Sequence, residues 1–92
     1  PGYYKAGEYG IRIENLVVVK EVDTPPAGAE RALLEFETIT LAPIDRTLID
    51  AALLSEGERT WLNAYHARVF AEIAPQLQGA EKTWLEAATA PL

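Results

Sequence analysis

The short run Ile11-Arg12-Ile13-Glu14 sets a cation and a carboxylate two residues apart among apolar neighbours. Read as an alternating strand, it puts Arg12 and Glu14 on one face, with their Cα atoms roughly 6.5–7 Å apart. A carboxylate in an apolar strand must be ion-paired, hydrated or bound to a cation, because burying it alone is too costly. In one reading Arg12 and Glu14 form an exposed pair worth little energy. In the other, Glu14 ligates a hard divalent cation while Arg12 balances charge and orients acidic ligands. One carboxylate does not make a metal site: dinuclear hydrolytic centres hold two ions about 3.5–4 Å apart with several carboxylates and imidazoles. Glu35 and Glu37 share one face of a later strand and could join Glu14; equally, that face is the solvent side of an edge strand. The sequence leaves both readings open.

His66 is the only imidazole. It stands beside Leu62 and Val69 at the margin of an apolar helix face, with no companion acid or nucleophile nearby, and reads as a structural histidine. Trp61, Tyr65 and Trp84 follow helical spacing and read as core. Glu8, Glu72 and Glu81 read as solvated surface. The sequence holds no Gly-rich phosphate loop, nucleophile elbow or HExxH motif.

The elements that must position these residues follow from pattern. Residues 1–10, with three tyrosines, read as an irregular or extended lead-in. Residues 11–22 predict one long strand, alternating at first and continuously apolar from Leu16, as in a strand covered on both faces. Pro25-Pro26-Ala27-Gly28 marks a loop. Residues 32–41, with Thr38, Ile39 and Thr40, resume a strand pattern, so the two strands form an antiparallel hairpin. Ser55-Glu56-Gly57-Glu58 has the form of a capping box and starts a helix at Glu56. Leu62, Tyr65, Val69 and Ile73 mark its buried face, and Pro75 ends or kinks it. A second helix over 80–88 buries Trp84, Leu85 and Ala88. The fold class is therefore α+β, an antiparallel β-hairpin followed by two helices.

Composition bounds the function. The chain has 92 residues, 49% of them hydrophobic, which is one domain at most and close to the lower limit for a self-sufficient core. Eight cations against fourteen anions leave a net charge of −6 with no basic patch, which argues against nucleic acid as a partner. There is no cysteine, so disulfides and thiol chemistry are excluded. The longest apolar run, Leu16 to Val19, is far too short to span a membrane. A chain that starts with proline and has no methionine reads as a fragment, silent about any signal peptide.

Taken with its surroundings, PGYYKAGEYGIRIEN resembles the end of the catalytic domain of the pita-bread metallopeptidases, the M24 group of aminopeptidase P, prolidase and methionine aminopeptidase. FETITLAPIDRTLID, WLNAYHARV and WLEAATAPL narrow the resemblance to the C-terminal extension of the three-domain Xaa-Pro aminopeptidases. It covers essentially the whole chain. The resemblance implies residues 1–31 as the end of the catalytic domain and 32–92 as the extension. It implies a hydrolase that removes the first residue of peptides with proline at position two. It also implies two divalent ions, manganese first with zinc or cobalt as alternatives, held by two Asp, one His and two Glu. Glu14 matches the last of these, a metal-bridging carboxylate; the other four ligands belong to the rest of the parent chain. Tyr4 and Arg12 match positions in a hydrogen-bond chain that supports an acidic ligand. Glu35, Glu37 and His66 receive no role. With one ligand of five, the piece alone is expected to be inactive and to bind no metal. Further expectations are a cytoplasmic location, a homodimeric parent, and self-association or a poorly ordered N-terminal segment in the piece itself. The competing readings are a free-standing helical interaction or dimerisation module and a prolidase-type dipeptidase fragment.

Overall fold

Tyr3-Tyr4-Lys5 and Tyr9-Gly10-Ile11 are two short β-prone stretches around Ala6-Gly7-Glu8. In the computed structural model, which describes residues 2–92, they pair antiparallel as β1 (Tyr3–Lys5) and β2 (Tyr9–Ile11), with Tyr4 opposite Gly10. The Glu8 N–H donates to the Lys5 carbonyl at 3.0 Å. Gly7, with φ 73°, fills the third position of that turn, which is the left-handed position of a type II turn. Lys5 and Glu8 also form an exposed ion pair at 3.0 Å. The lead-in, expected to be irregular or extended, is extended and folded into a hairpin, except for Pro1, which lies outside the described residues.

The single long strand expected over 11–22 is two strands. β2 stops at Ile11, Arg12 to Leu16 follow no ladder, and β3 (Val17–Glu21) pairs antiparallel with β4 (Leu34–Thr38). The cause is a change of partner. β2 is bonded to β1, whereas the next ladder opens with the Ile39 N–H donating to Leu16 O at 2.9 Å and the Leu16 N–H donating to Thr40 Oγ1 at 2.7 Å. A chain passing from one partner to another must leave the first ladder. Arg12 and Glu14 therefore do not share a strand face. The second strand is also shorter than the expected 32–41, although the antiparallel hairpin itself stands.

Nor is β3 covered on both faces. Val17, Val19, Leu34 and Phe36 occupy one face of the β3–β4 ribbon and are all exposed, Phe36 to 74%. A two-stranded ribbon has no second layer within its own unit to bury that face.

The chain divides into two compact units, Pro1–Thr40 and Leu41–Leu92. The second is built on α1 (Glu56–Ile73) and α2 (Gly79–Ala88). The capping box forms as expected: Ser55 Oγ accepts from the Glu58 N–H at 3.3 Å, and the Glu58 carboxylate accepts from the Ser55 N–H at 2.8 Å. The Ser55 hydroxyl, donating to the Glu58 carboxylate at 2.7 Å, and then the Ser55 N–H hold the Glu58 carboxyl below its usual range. α1 buries Leu62, Tyr65, His66 and Val69, a three- and four-residue stripe. It ends at Ile73, and Pro75 sits in the 3-10 turn Ala74–Gln76 that follows. Leu85 of α2 completes a core with Leu62, Tyr65, Val69 and Ala74.

Two aromatic residues depart from expectation. Trp61 is 54% exposed and Trp84 61%, because each lies one residue, about 100° of helical turn, from the buried Leu62 and Leu85. Trp61 instead stacks on Tyr65, with ring centroids 5.5 Å apart. His66, expected at the margin of the apolar face, is wholly buried.

Candidate functional site

Two candidate residues of the first unit, Tyr4 and Arg12, meet at the open end of the β1–β2 hairpin. Tyr4 faces Gly10 across the ladder, and its ring covers that glycine: a Cβ there would lie 2.8 Å from Tyr4 Cδ1. At Gly2, a Cβ would meet Arg12 Cγ at 2.8 Å, Ile11 O at 2.8 Å and the Tyr4 hydroxyl at 3.1 Å. The Tyr4 hydroxyl and the Arg12 stem thus converge on one bare stretch of backbone, with Glu14 two residues further along. Tyr4, Arg12 and Glu14 are exposed, and none of their side-chain polar groups has a hydrogen-bond or ion-pair partner among the described residues. Arg12 and Glu14 do not pair with each other.

Chemically Tyr4, Arg12 and Glu14 offer a phenol, a guanidinium and a carboxylate. A carboxylate is the donor that hard divalent cations take, so Glu14 fits such an ion as one ligand. Among the described residues no group of three or more His, Asp or Glu is placed to hold a metal, so the remaining ligands would have to come from elsewhere.

Glu35 and Glu37 are engaged by a cation instead. Lys20, directly opposite Glu35 in the ladder, lies 3.3 Å from the Glu35 carboxylate, 3.9 Å from Glu37 and 3.6 Å from Asp23. The hydrogen bond to Glu35, then the negative charge of Asp23 and of both glutamates, raises the Lys20 pKa above its ordinary value. These are exposed pairs, and they leave the two carboxylates on a solvated ribbon face.

In the second unit, His66 is bonded to the segment that precedes α1. Its Nε2 accepts from the Ile44 N–H at 3.0 Å, so the neutral ring carries its proton on Nδ1, which is buried without a partner. Loss of hydration, and secondarily the charge of Arg46, pushes the His66 pKa down. Tyr65 donates its hydroxyl to Ala42 O at 2.6 Å. Arg46 donates to Ala87 O at 3.2 Å, Ala90 O at 2.7 Å and Pro91 O at 3.2 Å, a cation set on the negative end of α2. Beside it opens a cleft of about 470 Å³ with Pro43, Thr47 and Trp84 among its walls. Asp45 on its rim is kept acidic by the Thr47 N–H. The cleft has no nucleophile paired with a base, and His66 stands as a structural histidine.

Gly2 and Gly10 had drawn no attention in the sequence, although their bare backbones shape the Tyr4–Arg12 cluster. A signal was present: Tyr-Tyr-Lys and Tyr-Gly-Ile around a glycine-bearing three-residue turn have hairpin form and set Tyr4 against Gly10. Arg46 carried no comparable signal, since its three acceptors lie more than forty residues away.

Residues 32–92 match the family model described as the C-terminal region of peptidase M24. The whole chain is 47% identical to a probable Xaa-Pro aminopeptidase P of Coprinopsis cinerea and 48% identical to one of Arthroderma gypseum, covering 15% of each. Among solved structures it is similar to the X-prolyl aminopeptidase of Caenorhabditis elegans, described as a cytosolic enzyme with a di-nuclear active site. That likeness has a TM-score of 0.80 at 41% identity and covers all of this chain and 15% of that one. The α+β arrangement is accordingly a portion of the larger pita-bread aminopeptidase fold. No helix among the described residues is long and apolar enough to cross a membrane.

Proposed function

This chain belongs to the M24 peptidase family through its C-terminal region, and from that premise we propose that it is the end of a metal-dependent Xaa-Pro aminopeptidase. The parent enzyme removes the N-terminal residue from peptides with proline at position two. Residues 1–31 end the catalytic domain and 32–92 form its extension. The observation that carries the reading is the cluster at the open end of the first hairpin. There the Tyr4 hydroxyl and the Arg12 stem converge, Glu14 follows two residues on, and none of the three has a partner among the described residues, in a chain similar over its whole length to an enzyme described as di-nuclear. Prolidase-type and free-standing alternatives lose ground because the matched relatives are long Xaa-Pro aminopeptidases.

Glu14 would hold both ions as a bridging ligand, together with two Asp, one His and one Glu of the parent. Two bound divalent ions, manganese by preference, supply the Lewis acidity that makes water a nucleophile near neutral pH. Glu14 contributes negative charge and fixed oxygen positions. Arg12, a permanent cation with planar donors, offsets the accumulated carboxylate charge and fixes the rotamer of a neighbouring acidic ligand. The Tyr4 hydroxyl extends that hydrogen-bond chain. Such outer partners commonly govern metal affinity by 10–100-fold. The isolated 92 residues, with one ligand, are inactive and bind manganese negligibly. The parent is cytoplasmic.

The test is Glu14→Ala in the full-length enzyme. Turnover should be nearly abolished and bound metal should fall, because a metal ligand supports nucleophile generation. Near-normal turnover with full metal content would reject the assignment.

A further inference from the structure

We infer that Gly2 and Gly10 are positioning residues for the Glu14 site, forming a slot that holds the Tyr4 ring and the Arg12 stem where their donors meet acidic metal ligands. This rests on the reading of Glu14 as a ligand. Gly10 is not among the left-handed glycines, which are Gly7, Gly28 and Gly79. Its backbone is open to any residue, and only the Tyr4 ring excludes a side chain, with Cδ1 and Cε1 at 2.8 and 3.2 Å from where a Cβ would stand. Glycine inside a strand weakens it and commonly marks a close approach. Here the ring approaches.

At Gly2 the restriction is firmer, because one of the obstructing atoms is the Ile11 carbonyl oxygen at 2.8 Å, which cannot rotate away. The same point is 2.8 Å from Arg12 Cγ and 3.1 Å from the Tyr4 hydroxyl. An aromatic ring laid over a glycine is also a plain device for stabilising hairpins. That accounts for the ring on Gly10. It does not account for the hydroxyl and the arginine stem converging on Gly2 with neither polar group satisfied among the described residues.

A Cβ on Gly10 lifts the ring and carries the hydroxyl away from Arg12. The experiment uses the full-length enzyme, stripped of metal and titrated with manganese, alongside kcat, KM and thermal midpoint. Gly10→Ala should weaken manganese binding by roughly 10–100-fold and lower kcat similarly, with KM within about twofold. Tyr4→Ala should match it, and the double variant should be no worse than Tyr4→Ala, since both act through one ring. Tyr4→Phe keeps the ring and the fold; it should weaken manganese binding without moving the midpoint of the metal-free enzyme. Unchanged manganese affinity in Gly10→Ala or Tyr4→Phe, or losses that multiply in the double variant, would overturn the inference. A Glu14→Gln control separates the layers. Lost metal binding there with a harmless Gly10→Ala rejects the slot alone; full metal binding there rejects the reading beneath it.

Discussion

Replacing His66 with glutamine should flatten the acid dependence of stability. The ring is wholly buried, and its Nε2 lone pair already holds the Ile44 N–H at 3.0 Å. A second proton would have to take that lone pair, set two donors face to face, and place a buried cation near Arg46. The folded state therefore binds this proton less readily than the unfolded chain, whose imidazole titrates at its ordinary value of 6.5. Where the unfolded state binds more protons, stability rises with pH. The stability linked to His66 is thus fully present above 6.5 and drains away as pH falls below it.

The slope for one proton is about 1.4 kcal/mol per pH unit at most, so the loss between pH 7.5 and 5.5 reaches up to about 1.4 kcal/mol. Glutamine presents an amide oxygen to Ile44 and does not titrate. Imperfect geometry should cost His66→Gln about 1 kcal/mol at pH 7.5, with little further change down to 5.5. Asp45 and Glu58 do not interfere. Their carboxyls are held below 3.8 and 4.5, so their contributions are lost only at lower pH. Urea unfolding followed by tryptophan fluorescence reads the relevant unit, since Trp61 and Trp84 both belong to it. Equal pH slopes for the two proteins, or a ring titrating at 6.5 or above in NMR, would refute the reasoning.

Leu85→Ala, at a core position only 2% exposed, should destabilise the second unit by about 2–5 kcal/mol; a urea midpoint shift equivalent to less than about 1 kcal/mol would contradict the packing. Ser55→Ala breaks the capping box and should cost about 0.5–2 kcal/mol, with the loss of amide protection confined to the first turn of α1 in hydrogen exchange. Val19→Lys with Phe36→Lys should reduce self-association of the isolated chain, because those side chains lie on an uncovered apolar ribbon face. Sedimentation showing the same mass for both proteins across a concentration series would count against it.

The second unit was largely legible in the sequence because its determinants are local. Ser55 and Glu58 sit three residues apart, Leu62, Tyr65 and Val69 repeat with the helical period, and Pro75 stops α1 by its own covalent structure. The tryptophans were misplaced because Trp61 and Trp84 border the stripe, and a bordering aromatic matches a periodic pattern almost as well as a buried one. The first unit was read less well. Residues 11–22 look like one strand to any local rule, yet the hydrogen-bond partner changes at Leu16, and partner choice is not a local property.

Residue type and order alone established what this chain can offer: a lone carboxylate beside an arginine, a helix start at Ser55, no thiols, no basic patch, and a motif series resembling the pita-bread peptidases. Only the tertiary structure decided that Glu35 and Glu37 belong to Lys20, that His66 is sealed against Ile44, and that Tyr4 lies on Gly10 with Arg12 beside Gly2. The difference is physical. Capping, helical period and proline stops act over a few bonds, whereas cross-strand register and ring-on-backbone contact depend on which distant segments meet.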